Sequence, residues 1–189
     1  MGVDTLIAKE VFVTPEAIEL GLSATTLNRL VKAGKLQRLD QGIYRHVDAD
    51  QTETLPYSIA CLRVGDNSLI GGLTALFHYR LIDDAPKETW VVVSSSHHHG
   101  SFPRYRVVRT KQDPTIEVEC HGTWRIATIE RAIVEAIRFA SKIGLSTALS
   151  AARTALVNGL TTEERLYEAA ESLKVWPFVS KHWEALTLR

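Results

Sequence analysis

The 189 residues carry 22 Lys plus Arg against 22 Asp plus Glu, with 45% hydrophobic and 23% charged residues. These are the proportions of a folded globular chain, and a zero net charge excludes a protein that coats nucleic acid through bulk positive charge. No apolar run approaches the roughly 20 residues that span a bilayer, and Met1 to Glu10 is too short and mixed for a signal peptide. Cys61 and Cys120 are distant in sequence and lie in apolar surroundings. They read as buried free thiols, which places the chain in a reducing cytoplasm.

In chain order, Thr14-Pro15 is a helix-start signal, with Thr14 as N-cap and Pro15 at the first helical position. The helix runs over Ala17, Ile18 and Leu20 and stops at Gly21, so Leu20-Gly21-Leu22-Ser23 reads as a tight glycine-containing turn. Ser23 caps the next helix, in which Leu27, Leu30 and Val31 recur at i, i+3 and i+4. Thr25, Asn28, Arg29 and Lys32 take the opposite, polar face, and Gly34 ends the run. Leu36 to Arg45 alternates loosely around Asp40-Gln41-Gly42 and reads as a short hairpin. Leu20, Leu22, Leu27, Leu30 and Ile43 are the expected core. From Ser23 to His46 the bases are Arg29, Lys32, Lys35, Arg38 and Arg45, against the single acid Asp40. Two helices, a tight turn and a basic hairpin predict a winged helix-turn-helix that meets duplex DNA, followed by a domain boundary in the acidic stretch 47–53.

Residues 1–50 are therefore expected to form the DNA-binding domain, and 51–189 an α+β domain. In the second domain helices are expected over Thr54–Val64 and Ile70–Tyr79, the latter opened by Gly71-Gly72. Strands are expected at Trp90–Ser95, Tyr105–Thr110 and Ile116–Cys120, in a mixed or antiparallel sheet. A C-terminal group of helices follows: one from the Thr128 cap, one over Leu145–Val157, and one from a capping box at Thr161-Thr162-Glu163-Glu164. Trp176-Pro177 breaks that run before a last segment, Val179–Leu186.

Catalytic patterns are missing. There is no Gly-x-Ser-x-Gly, no P-loop, no Gly-x-Gly-x-x-Gly after a strand and no His-Glu-x-x-His, so no enzyme, cofactor or metal is expected. His97, His98 and His99 are consecutive, which suits a loop between strands better than a metal site. Asp83-Asp84 reads as a solvated turn before Pro86, and His78 as a hydrogen-bonded interior histidine. Arg104, Arg106, Arg109 and Lys111 carry no acid between them, and Arg104 and Arg106 are expected to share a strand face. They read either as an ordinary solvated edge or as a second anionic contact, to DNA phosphate or an acidic partner.

The chain resembles the AbiEi-type antitoxins of abortive-infection (type IV) toxin–antitoxin systems. The resemblance rests on the Thr-Pro-Glu-Ala start at Thr14, Gly-Leu-Ser-x-x-Thr-Leu from Gly21, Leu-Val-x-x-Gly-x-Leu from Leu30, and Gly-Ile-Tyr-Arg ending at Arg45. Leu73-Thr-Ala-Leu-Phe-His78 and Thr128-Ile-Glu-Arg-Ala-Ile-Val-Glu135 extend it, although Ala132 and Glu135 stand where Thr and Asp are expected. The resemblance implies a transcriptional repressor that binds operator repeats, as a homodimer or by cooperative binding on DNA. It also implies a second domain that neutralises a nucleotidyltransferase-like toxin in phage defence. The expected DNA contacts are Ser23, Thr25, Thr26, Asn28, Arg29, Lys32, Lys35, Arg38, Gln41 and Arg45. A protein-interaction module, or a stand-alone DNA-binding regulator with no toxin partner, remains the alternative.

Overall fold

The computed structural model describes residues 9–65, 67–96 and 102–187, in two compact units, Met1–Gly65 and Asp66–Arg189. His97, His98 and His99 lie outside the described residues.

The first unit runs β1 (Phe12–Val13), α1 (Thr14–Glu19), α2 (Ala24–Lys32), β2 (Leu36–Asp40), β3 (Ile43–His46) and α3 (Leu55–Val64). Its three strands are antiparallel in the order β1-β3-β2, with a register shift between Arg38 and Asp40. Phe12, Ala17, Leu27, Leu36 and Tyr44 form one buried cluster, closed by Leu22, Leu30 and Val31. A second cluster joins Val11, Ile43 and Leu55, with Val13, Leu39, Ile59 and Leu62 against it. Two core expectations change. Leu20 is 38% exposed at the end of α1, and Ile43 belongs to the second cluster instead of the one under α1 and α2. The unit also extends beyond the expected boundary at residue 50. Leu55, Ile59 and Leu62 form one apolar stripe on α3, and that stripe completes the second cluster.

The second unit comprises β4 (Leu69–Ile70), α4 (Gly72–His78), β5 (Thr89–Ser94), β6 (Tyr105–Thr110), β7 (Val118–His121) and β8 (Trp124–Ala127). These are followed by α5 (Ile129–Arg138), α6 (Ala140–Ile143), α7 (Leu145–Val157), α8 (Glu163–Ser172), α9 (Trp176–Val179), a 3₁₀ turn (Ser180–His182) and α10 (Trp183–Thr187). The sheet order is β6-β5-β4-β8-β7. β5 with β6 and β4 with β8 are parallel, whereas β4 with β5 and β7 with β8 are antiparallel, so the sheet is mixed and the chain α+β.

Local chemistry explains where the elements begin. Gly71 and Gly72 open α4 because its start presses on β5. A Cβ on Gly71 would meet Val92 Cγ2 at 2.5 Å, and one on Gly72 (φ +52°) would overlap the Trp90 ring. Ile70 therefore ends a strand instead of starting the helix. Thr128 caps α5, accepting the Arg131 N–H at 3.2 Å. Thr162 caps α8 in the same way, but Thr161 is buried and donates to Glu130 at 2.7 Å, so the expected capping box does not form. Pro177 stands in the first turn of α9, where its missing N–H costs nothing, and so starts a helix instead of breaking one. Among the described residues no helix is long and apolar enough to cross a membrane.

Candidate nucleic-acid interface

The surface around α2 is assembled from its caps. Ser23 accepts the Thr26 N–H at 3.1 Å and fixes the first turn. At the other end Gly34, at φ +69°, takes the left-handed conformation, and the Gly34 and Lys35 N–H groups close onto the Val31 and Leu30 carbonyls. Leu27 is 1% exposed and anchors the helix in the core, at a contribution of about 2 kcal/mol. What remains outside is Thr25, Asn28, Arg29 and Lys32, all exposed and spaced so that they share one face. Lys35 is exposed just beyond the helix.

α1 is held to the hairpin tip. The N-cap is Val13, not Thr14, and Thr14 donates both its N–H (2.9 Å) and its hydroxyl (3.3 Å) to the Gly42 carbonyl. Valine offers no side-chain acceptor, and only Glu16 caps here, accepting the Val13 N–H at 2.9 Å and Lys9 Nζ at 2.7 Å. Burial pushes the Glu16 carboxyl up, but the Lys9 bond, the Val13 N–H and the Lys9 charge together hold it below its ordinary value.

The expected DNA contacts fall into different environments. Thr25, Asn28, Arg29, Lys32, Lys35, Arg38 and Gln41 are exposed. Thr26 is half-buried, and its hydroxyl lies 3.0 Å from Ser23 Oγ within the helix cap. Arg45 is the clear departure. It is 8% exposed, and its guanidinium donates to the His46 carbonyl (3.3 Å), Gln51 Oε1 (2.8 Å) and the Ala49 carbonyl (2.7 Å). It clamps residues 46–51 against β3, which leaves little of its guanidinium in solvent. Arg63, which the sequence pattern did not single out, lies on α3 with its Nε 3.3 Å from Asp40 and donates to Gln41 at 3.1 Å. It offsets the only acid of the hairpin, a pairing that tertiary contact creates and periodicity cannot show.

The second basic set is not one surface. Arg104 lies in the turn before β6, so it does not share a strand face with Arg106. Arg106 and Arg109 are three apart on an unbroken strand and take opposite faces. All three, and Lys111, are exposed.

Elsewhere, Cys61 is buried but Cys120 is exposed, because β7 is an edge strand. His78 packs edge-on to Tyr79 and Trp124 at 5.1 and 5.9 Å between ring centroids, and His121 stacks on Trp124 at 4.2 Å. Burial pushes His78 down, while burial and the nearby Glu119 carboxylate push the Tyr79 phenol up. Asp83 and Asp84 are exposed at a cleft that Ser146, Ser150 and Thr154 of α7 also line. Among the described residues no three His, Cys, Asp or Glu side chains converge as a metal site.

Residues 3–46 match the sequence model of a family described as transcriptional regulator, AbiEi antitoxin. The matched segment is the one that carries the motifs from Thr14 to Arg45. Over 98% of this chain and 74% of the other, the fold is similar to the crystal structure of the RV2827C protein from Mycobacterium tuberculosis, with a TM-score of 0.62 and 14% identity. At that identity the likeness is one of fold. No curated protein matches the chain significantly.

Proposed function

We propose that the first unit is a winged helix-turn-helix that binds double-stranded DNA at a specific sequence, with α2 in the major groove and the β2–β3 hairpin as the wing. The observation that carries this reading is the bare outer face of α2. Thr25 and Asn28 are short neutral hydrogen-bonders suited to base edges, and Arg29 reaches guanine or phosphate. Lys32, Lys35 and Arg38 continue the same surface as phosphate contacts, and Arg63 removes the opposing charge of Asp40. The family match over residues 3–46 supports a regulatory, antitoxin-type role.

In this reading the protein represses its own operon and neutralises a nucleotidyltransferase-like toxin through its second unit, with no catalytic activity of its own. Gel-shift titration of the full-length protein against the DNA upstream of its operon is the test. Binding to that duplex well above binding to a scrambled one is expected. No binding to either would hand the first unit to protein recognition.

A further inference from the structure

We propose that the outer edge of β6 is a docking site for an acidic, extended polypeptide segment, which adds to the sheet as a sixth strand. β6 ends the sheet order, and among the described residues no strand pairs with its outer side. The direction of its backbone groups follows from one bond. Ser95 N–H donates to the Thr110 carbonyl at 2.7 Å, so Thr110 faces β5. Because N–H and C=O alternate sides together along an extended strand, Val108 and Arg106 face β5 as well, and Tyr105, Val107 and Arg109 face outward. The Tyr105 N–H is taken by the Phe102 carbonyl at 3.0 Å. Both backbone groups of Val107 and of Arg109 are directed to the outer side, the pattern that a strand adding at an edge uses.

Charge selects the occupant. Arg104, Arg106, Arg109 and Lys111 follow the edge over about 23 Å at roughly 3.3 Å per residue, with no acid between them. Arg106 lies over the Trp90 ring at 5.7 Å, which orients one of these cations on the helix-bearing face, and Arg109 is exposed on the other. A DNA backbone approaching one face would leave half of this charge unused. An added strand places its own side chains on both faces in turn, so acids three residues apart meet Arg106 on one face and Arg109 on the other. The spacing that defeats a single-faced anion therefore suits a strand. The inference is independent of the DNA-binding reading.

The test is fluorescence anisotropy of the full-length protein with the labelled peptide Thr-Val-Glu-Val-Thr-Glu-Val-Thr. Its controls are the Lys-for-Glu peptide and two versions N-methylated on alternate backbone nitrogens, one per edge. The expected result is binding of the acidic peptide, loss with the Lys peptide, and loss with one methylation register but not the other. The Arg106→Ala/Arg109→Ala variant should weaken binding roughly five- to tenfold. Val107→Pro should abolish it, since that N–H faces away from β5 and its removal breaks no sheet bond. No binding of the acidic peptide would overturn the proposal, as would equal binding of both methylated forms, which means ionic attraction without strand addition. Loss of random-duplex affinity in the double variant with peptide binding unchanged would assign these cations to phosphate instead.

Discussion

α2 and α5 start alike and end in opposite environments. Each is opened by a hydroxyl cap, Ser23 or Thr128, and each carries apolar residues at helical spacing with charged residues between them. In α2 only Leu27 is fully buried, and Thr25, Asn28, Arg29 and Lys32 stay in solvent. In α5 every residue from Glu130 to Ile137 is buried, including Glu130, Arg131 and Glu135. The difference lies in what surrounds the helix. α5 packs against α4, α7, α8 and α9, so its charges are enclosed. Arg131 donates to the Asp113 and Ile116 carbonyls and to Glu135 at 3.2 Å, and Glu130 accepts from Thr161. A charged helix face is thus a binding surface only where no second layer covers it, and α2 meets that condition.

The contrast breaks most easily at Arg131. Arg131→Ala should destabilise the second unit by about 3–5 kcal/mol, because it leaves Glu135 buried and two carbonyls without their donor. Urea unfolding followed by tryptophan fluorescence measures this, since all four tryptophans lie in that unit. A cost below about 1 kcal/mol, the range of an exposed ion pair, would mean that α5 is not enclosed as described.

Arg45 comes next, and it tests the boundary between structural and DNA-facing cations. Arg45→Ala should cost about 1.5–3 kcal/mol through loss of its three charge-assisted bonds. The salt dependence of DNA binding by the folded protein should not move, because a group that holds no phosphate releases no counterion. A shallower salt slope would return Arg45 to the phosphate contacts.

What the sequence disclosed follows the same division. The helix caps at Ser23 and Thr128, the α2 stripe, the hairpin and the extents of β6 and α7 are local patterns, and they are legible because hydrogen-bond chemistry and periodicity act over a few residues. β4, of two residues, and β8 escaped notice because short strands gain their identity from neighbours distant in the chain. The fate of Arg45, of Arg63 against Asp40 and of the charges on α5 likewise depends on packing partners that no local window contains. Arg104 and Arg106 look like one face only if the strand begins at Arg104, and it begins one residue later.

On α2 itself the exposed residues should divide by role. Asn28→Ala or Arg29→Ala should cost about 1–3 kcal/mol on the operator and little on scrambled duplex. Lys32→Ala should weaken both duplexes similarly and make the salt slope shallower by about one unit. Binding to both duplexes across a salt series resolves the two patterns. Equal losses everywhere would reduce α2 to a backbone grip.

The smallest effect concerns two glutamates of opposite sign. Glu16, at the start of α1, is held below its ordinary value of 4.5: burial raises it, but the Lys9 bond, the Val13 N–H and the Lys9 charge outweigh that. The unfolded chain therefore takes up a proton first as pH falls, so the contribution of Glu16 is fully present above 4.5 and is lost as pH drops through the folded value. Glu135 runs the other way. Burial raises it against the pull of Arg131, so the folded state keeps its proton to higher pH, and ionising it removes stability as pH rises above 4.5. Glu16→Gln retains an acceptor for the Val13 N–H, which isolates the charge. Wild type should lose its small advantage over this variant on acidification, with the effect kept modest by screening at a side chain 38% exposed. Relative to Glu135→Gln, wild type should instead gain on acidification. Denaturant midpoints of the three proteins across the acidic range give both slopes. Slopes of the same sign would mean that either the Lys9 and Val13 contacts of Glu16 or the enclosure of Glu135 in α5 is not as described.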